Sequence, residues 1–579
     1  METFLLLFIT FFGYVLMYRF YGHFIGKAIF KISDSARVPS VEYNDGIDFV
    51  PTKKEIIFGH HFTSIAGTGP IVGPAIAIIW GWVPALLWVF LGSVLMGAVH
   101  DFGSLIISMR NEGKSISEFT AKYINPRTRI FFFVVVFLAL WIVIAIFGLV
   151  IALIFNMFPS SVLPVWLQIP ISVYLGYLIY RKGGNVMLWS VLAVITLYLT
   201  MVLGNFLPVV MPAVLGIPPT GAWTILLLIY AYIASVLPVT TLLQPRDFIN
   251  AFQLLIAMAL LTVGAVIASV GEGMQLVAPA VQLHPTEAPS MWPFLFITIA
   301  CGAISGFHSL VASGTSAKQV KSENDSLFVG YGAMLVEGSL ATLVIIAVAA
   351  GIGMGYQTAD GQTLFGLNAW NSHYASWTAA QGLGSKVGAF VIGAANMIST
   401  LGVPHSLAVV IMGVFIASFA GTTLDTATRI QRYVISELAE DLHIDVLKNR
   451  YAATAFAVGS AALLAFASGA DGKGALTLWP MFGAVNQTLA ALALIVITLY
   501  LKTKGGIKWL IAGLPAAFMA VMTLWASLLN QISFVDKSNL LLVLVNGVII
   551  FIVVWIIGEG LFRFFAPAAE KVSEAKEHI

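Results

Sequence analysis

From Phe4 onward the chain is divided into uncharged or nearly uncharged apolar runs of roughly 17–27 residues, the length a helix needs to cross a bilayer. They lie near 4–21, 56–80, 83–109, 130–156, 163–180, 185–208, 222–242, 248–270, 291–313, 327–353, 405–428, 451–468, 475–501, 508–529 and 540–563. A segment in lipid must satisfy its own backbone hydrogen bonds, so runs of this kind predict helices. Of 579 residues 59% are hydrophobic and 10% charged. Soluble domains carry about a quarter charged residues, so the composition excludes a string of soluble domains. It predicts one all-α polytopic bundle over 1–579, with no soluble unit large enough to fold alone.

Charge orients the spans. Basic loops at Lys27–Lys54, Arg110–Arg129, Arg181–Lys182, Arg246, Lys318–Lys321, Arg429–Arg450 and Lys502–Lys508 alternate with segments near Pro159, Pro212, 273–289 and 355–384 that lack Lys and Arg. By the positive-inside rule the N-terminus is outside, and the tail at 566–579, with Lys571 and Lys576, is cytoplasmic. Two crossings at 387–401 and 405–428 would put the Arg429–Arg450 cluster outside. The short stretch 387–401, interrupted at Gly402–Pro404, is therefore expected to be re-entrant or to lie on the outer surface. Fifteen spans plus one incomplete segment result.

The net charge of +2 excludes a nucleic-acid partner. A lone cysteine, Cys301, excludes a disulfide framework and a multi-cysteine metal site. No P-loop, GxSxG elbow, HExxH pair or TVGYG filter occurs, which argues against an ATP pump, a hydrolase, a zinc protease and a potassium-type pore. No enzyme activity and no cofactor are expected.

Within the second run, FGHHFTSIAGTGPIVGP (58–74) holds four glycines and two prolines beside His60 and His61. Membranes tolerate broken backbone only where protein or a water-filled cavity surrounds it. Carriers use such breaks to aim free N–H and C=O groups at substrates and ions. Thr68 and Gly69 precede Pro70, which suits a helix restart, and a restart offers N–H groups and a positive dipole end to a carboxylate. An isolated kink serving close packing is the plainer reading of one glycine; six breakers in one run reverse that preference. The candidate substrate residues here are His60, His61, Thr63, Ser64, Gly67, Thr68, Gly69, Pro70 and Gly73, with Ala66 among the carbonyls free for a cation.

A second irregular span, CGAISGFHSLVASGTSAKQ (301–319), sets Ser305, Ser309 and Ser313 on one helical face with His308 beside them. Small hydroxylated residues also serve helix packing; the intramembrane imidazole favours function. In SFAGTTLDTATR (418–429), Thr422, Thr423 and Asp425 offer hard oxygens for Na⁺ or a proton, although Asp425 and Arg429, at i and i+4, could simply pair. Asp101, next to His100, and Glu337 are buried acids costly to leave without partners, hence proton-relay candidates. Arg246–Asp247 reads as an ion pair at the cytoplasmic edge.

GHHFTSIAGTGPIVGP, GAVHDFGSLIISMRNEGKSI, YAYIASVLPVTTLLQPRDF, SGFHSLVASGTSAKQ and LDTATR together resemble the carbon starvation protein A family across about 45–505. The resemblance implies a bacterial inner-membrane importer of peptides or pyruvate with a LeuT-like, inverted-repeat core of discontinuous helices, in all about 15–16 transmembrane helices. It places a peripheral first helix at 4–30, the core at 56–501 with an inserted pair at 222–270, and C-terminal helices at 508–565. The first core helix is then 56–80 and the sixth 291–313, or alternatively 222–242. The coupling cation is a proton, favoured by the family and the available acids and histidines, or Na⁺ at Thr422 and Thr423. A passive facilitator and a metabolite sensor are the rival readings. The oligomeric state is left open.

Overall fold

A computed structural model describes residues 2–566 except 272, 273, 359 and 381; the expected tail from 567 on lies outside the described residues. The described chain is helical almost throughout. Its main helices are α1 (Glu2–Phe30), α2 (Lys54–Ile65), α3 (Gly69–Trp80), α4 (Trp82–Met109), α5 (Pro126–Met157), α6 (Pro159–Ile179), α7 (Val186–Phe206), α8 (Pro219–Val236) and α9 (Leu243–Val270). They continue as α10 (Met291–Thr298), α11 (Gly306–Gly314), α12 (Leu327–Met354), α13 (Gly366–Tyr374), α14 (Leu383–Ser399), α15 (His405–Glu440), α16 (Arg450–Ala465), α17 (Trp479–Thr503), α18 (Leu510–Asp536) and α19 (Leu540–Phe565). Twelve of these are long and apolar enough to cross a membrane, and α2 with α3, bent by 43°, makes a thirteenth. The expected spans 291–313 and 451–468 are shorter: the first is split into α10 and α11, and the second is the 16-residue α16. Below, "inner" denotes the face with the arginine- and lysine-rich loops.

The break after α2 follows from its sequence. Proline lacks an N–H and its ring clashes with the carbonyl four residues back, so Pro70 stops a helix at Ile65–Ala66, and Ala66 leaves helical geometry at ψ 36°. The second break, 299–305, turns through Gly302 at φ +90°, a conformation glycine adopts without strain. A Cβ there would also stand 2.6 Å from the Cβ of Ala341. α8, by contrast, is continuous to Val236, so the interrupted helix is 291–314 rather than 222–242.

The helices on either side of Phe206 differ in burial. α6 and α7 are less buried than α8 and α9, and α9 packs along α2. Polar side chains in lipid turn toward the bundle interior. Those of α9 do so.

The stretch expected to fall short of a crossing is α14, which pairs with α13 as an outer hairpin. Lys386 Nζ donates to the carbonyl of His373 at 2.8 Å and sits 4.0 Å over the Tyr374 ring. Tyr374 in turn donates to the Ala75 carbonyl at the end of α3. Two broken helices are what the resemblance implied for a LeuT-like core with peripheral helices, and the outer hairpin ahead of α15 is the incomplete segment that charge parity required.

Candidate functional site

The two breaks face each other across a cavity of about 830 Å³. Its deep wall carries Gly67, Thr68, Gly69, Cys301 and Thr423, with Phe147 and Phe307 as apolar lining. Its mouth, at the outer face, carries Glu287, Trp377, Trp479 and Lys537. Glycine makes the convergence sterically available. A Cβ on Gly73 would meet the Thr298 carbonyl at 2.6 Å, one on Gly69 would run into Cys301, and one on Gly67 would run into Thr423.

Polar residues from neighbouring helices hold the second break. Glu337 on α12 accepts the Gly302 N–H at 3.1 Å, and Asn486 on α17 accepts the Phe307 N–H at 3.0 Å. Together they satisfy donors that a broken helix would leave orphaned in lipid. Asn486 also bonds Ser305 and lines the cavity. Sequence reading did not single it out, because nothing near Asn486 in the chain marks it as a cap for a helix about 180 residues earlier.

The expected substrate residues divide into two groups. Gly67, Thr68, Gly69 and Gly73 line the cavity. The histidines and hydroxyls are fully buried behind it and are not among its lining residues. His60 bonds Asp247 at 2.6 Å and Thr315 at 3.0 Å; His61 bonds Ser316 at 2.8 Å. Thr63, Ser309 and Ser313 donate to carbonyls of their own helices. Ser305 is held by Asn486, and Pro70 packs with its ring buried. The serine hydroxyls of α11 are therefore engaged within the protein and do not line the cavity.

The expected cation residues gather where α2 ends against α15. Thr423 donates to the Ser64 carbonyl at 3.2 Å, and Ser64 and Thr426 hydroxyls are 3.1 Å apart, with Ala66 two residues beyond Ser64. Thr422 donates to Ser418 and accepts from Asn250 at 3.0 Å. Asp425 does not pair with Arg429. It takes both terminal nitrogens of Arg246, one at 3.1 Å, and the Tyr230 hydroxyl at 3.0 Å. Arg246 also reaches Asp247 at 2.7 Å, so a continuous ionic network joins α2, α8, α9 and α15 at depth. Its members all have partners, as charges removed from water require.

A second buried chain runs from His100 through Asp101 (2.7 Å) to His308 (3.0 Å) and on to Glu337 (3.4 Å). It brings together three residues that the sequence marked separately.

The inner end is closed. Residues 33–53, within the basic loop Lys27–Lys54, lie beneath the breaks: Val50 and Thr52 donate to the carbonyls of Lys318 and Gln319 at 3.1 and 2.9 Å. Asp48 accepts from Arg429 at 2.8 Å and from Arg432 at 3.3 Å. Arg429 additionally donates to the Ala234 and Leu237 carbonyls where α8 ends.

A sequence family described as Carbon starvation protein CstA matches residues 2–526. The Peptide transporter CstA of Campylobacter jejuni is 33% identical over 89% of this chain and 78% of its own length. That of Bacillus subtilis is 32% identical over 88% and 87%. The Pyruvate/proton symporter BtsT of Escherichia coli is 31% identical over 89% and 79%. A crystal structure of MhsT in complex with L-phenylalanine covers 82% of this chain and 98% of its own at 11% identity, with a TM-score of 0.46.

Proposed function

The chain belongs to the carbon starvation protein CstA family and is a multi-pass membrane transporter, and we propose from that premise that it is a cation-coupled secondary active importer of peptides or small carboxylates such as pyruvate. The observation that carries this reading is a cavity at two helix breaks, open at one face and closed at the other by the Asp48–Arg429–Arg432 cluster. Alternating access needs that asymmetry and its reversal. The substrate carboxylate meets the restart at Thr68–Gly69, and Lys537 and Glu287 at the mouth give one charge of each sign, which suits a zwitterion. The coupling cation, with a proton favoured over Na⁺, acts through Asp425 and the Thr422–Thr423 pair. The expected location is the bacterial inner membrane, with the N-terminus outside and the tail inside.

The test is uptake into proteoliposomes of the full chain. Labelled pyruvate is compared with di- and tripeptides, under a proton gradient and a sodium gradient separately. Accumulation above equilibrium under one gradient alone is the expected result. Equilibration without accumulation under either would instead identify a facilitator, and binding without uptake a sensor.

The inner seal gives a second expectation. Burial alone would raise the Asp48 carboxyl, but the Arg429, Arg432 and Lys318 cations outweigh it and hold it at about 2. A depressed acid contributes fully above its free value of 3.8, and the contribution is lost only as pH falls through about 2. Closure of the inner face should therefore be flat between about pH 5 and 8, within which neither Asp48 value falls. Asp48→Asn should open it at any such pH, since a loss of about 1.4 kcal/mol already shifts a two-state ratio tenfold. Reactivity of Cys301 toward an impermeant thiol reagent outside intact cells reads the shift: it should fall in Asp48→Asn. Unchanged reactivity would remove Asp48 from the seal.

A further inference from the structure

Cys301 lines the cavity beside Gly69 and is the chain's only cysteine. Its Sγ, a ring nitrogen of His308 and a Glu337 carboxylate oxygen all lie within 4.8 Å of one another. Two neighbouring hydrogen bonds orient this group. Asp101 Oδ2 lies 3.0 Å from His308 Nδ1 and, as a carboxylate, accepts its proton, which leaves Nε2 as a bare acceptor. Glu337 Oε1 takes the Gly302 N–H, which leaves Oε2 turned toward Nε2. Neither Nε2 nor Oε2 has a hydrogen-bond partner among the described residues. Unpartnered acceptors buried in a membrane are costly.

The separation suits a metal. Nε2 and Oε2 are 3.4 Å apart, longer than a good hydrogen bond between such groups. Tetrahedral zinc, with nitrogen and oxygen arms of about 2.0–2.1 Å, spans ~3.3 Å between two such ligands. A thiolate arm of about 2.3 Å would be reached by a small movement of Cys301. Sulfur and imidazole donors select a borderline transition metal over Mg²⁺ or Ca²⁺.

We propose that Cys301, His308 and Glu337 form a binding site for a divalent transition-metal ion of the zinc class, entered from the cavity, with Asp101 orienting His308. On coordination the Cys301 thiol proton leaves to cavity solvent. Three protein ligands leave the fourth position facing the cavity. A metal there ties the second helix break to α12 and arrests the movement that uptake needs; this consequence rests on the importer reading, while binding itself does not.

The sole cysteine makes the test specific. In the purified full chain, Zn²⁺ alone should protect Cys301 from a small thiol reagent, and Mg²⁺ should not. Protection should vanish in His308→Asn and Glu337→Gln. In Asp101→Asn it should need about 10–100-fold more Zn²⁺, the usual cost of losing the group behind a metal-bound histidine. Bound Zn²⁺ should fall from one per chain to none in Cys301→Ser, which settles the matter if the two ligand variants fail to fold. A Cys301 that never reacts, protection absent in the wild type, or bound zinc unchanged in Cys301→Ser would each overturn the site. None of these readouts uses transport, so loss of the importer reading would leave the metal result standing, and the reverse.

Discussion

Gly69→Ala is expected to abolish substrate uptake in a chain that still folds. The new Cβ would lie 2.6 Å from the Cys301 Cβ and closer still to its sulfur, at the point where the two broken helices converge. One of them must move. Overpacking of this kind costs about 1–3 kcal/mol, tolerable for a bundle of this size. The effect on function is larger, because a displacement of about 1 Å at a binding constellation costs on the order of 100-fold. Gly558, also helical but with nothing within 4 Å of an added Cβ, is the control, and Gly558→Ala should transport normally. Adding Cys301→Ala to Gly69→Ala should recover part of the loss, since the two side chains share one space. Normal uptake by Gly69→Ala proteoliposomes would mean that the restart of α3 does not bind substrate.

Asp425→Asn is the second large effect. Its carboxylate receives both terminal nitrogens of Arg246 and the Tyr230 hydroxyl, all away from water. Removing one partner of a buried ion pair leaves the other uncompensated, typically at about 3–5 kcal/mol. Asp247 relieves part of this, being 2.7 Å from Arg246, but it is already engaged by His60. The melting temperature in detergent should drop, and gradient-driven accumulation should be lost. The paired replacement Arg246→Met with Asp425→Met separates structure from coupling. Removing both charges of this pair together should restore part of the stability, with Asp247 keeping its His60 contact, yet accumulation should stay absent. Accumulation retained in Asp425→Asn would remove Asp425 from coupling; accumulation regained in the double variant would make the network a structural brace only.

Legibility in the sequence followed the range of the interaction responsible. Pro70 and Gly67 marked the break after α2 correctly because a proline's missing N–H acts on its own helix. The short α14 was recognisable from charge parity, another local signal. Partner choice was not recognisable. Asp425 has Arg429 four residues away, yet it pairs with Arg246, while Arg429 turns to Asp48 and the end of α8. The histidines of 58–74 looked like cavity groups because a polar ring in an apolar run invites that reading, but three of their four ring nitrogens meet Asp247, Thr315 and Ser316 behind the cavity. Asn486 and Cys301 went unassigned because their roles depend on which helices lie opposite.

The residue string alone dictated a membrane bundle, the approximate positions of its helices and where the first of its broken helices had to break. Those outcomes rest on backbone hydrogen bonding in lipid and on proline and glycine stereochemistry, both of which act within a few residues. Packing alone selected the cavity-facing side of each break, the counter-charge for each buried ion and the segment that covers the inner end. Those selections depend on contacts between residues as much as about 380 positions apart, as for Asp48 and Arg429, and no local pattern encodes such a distance.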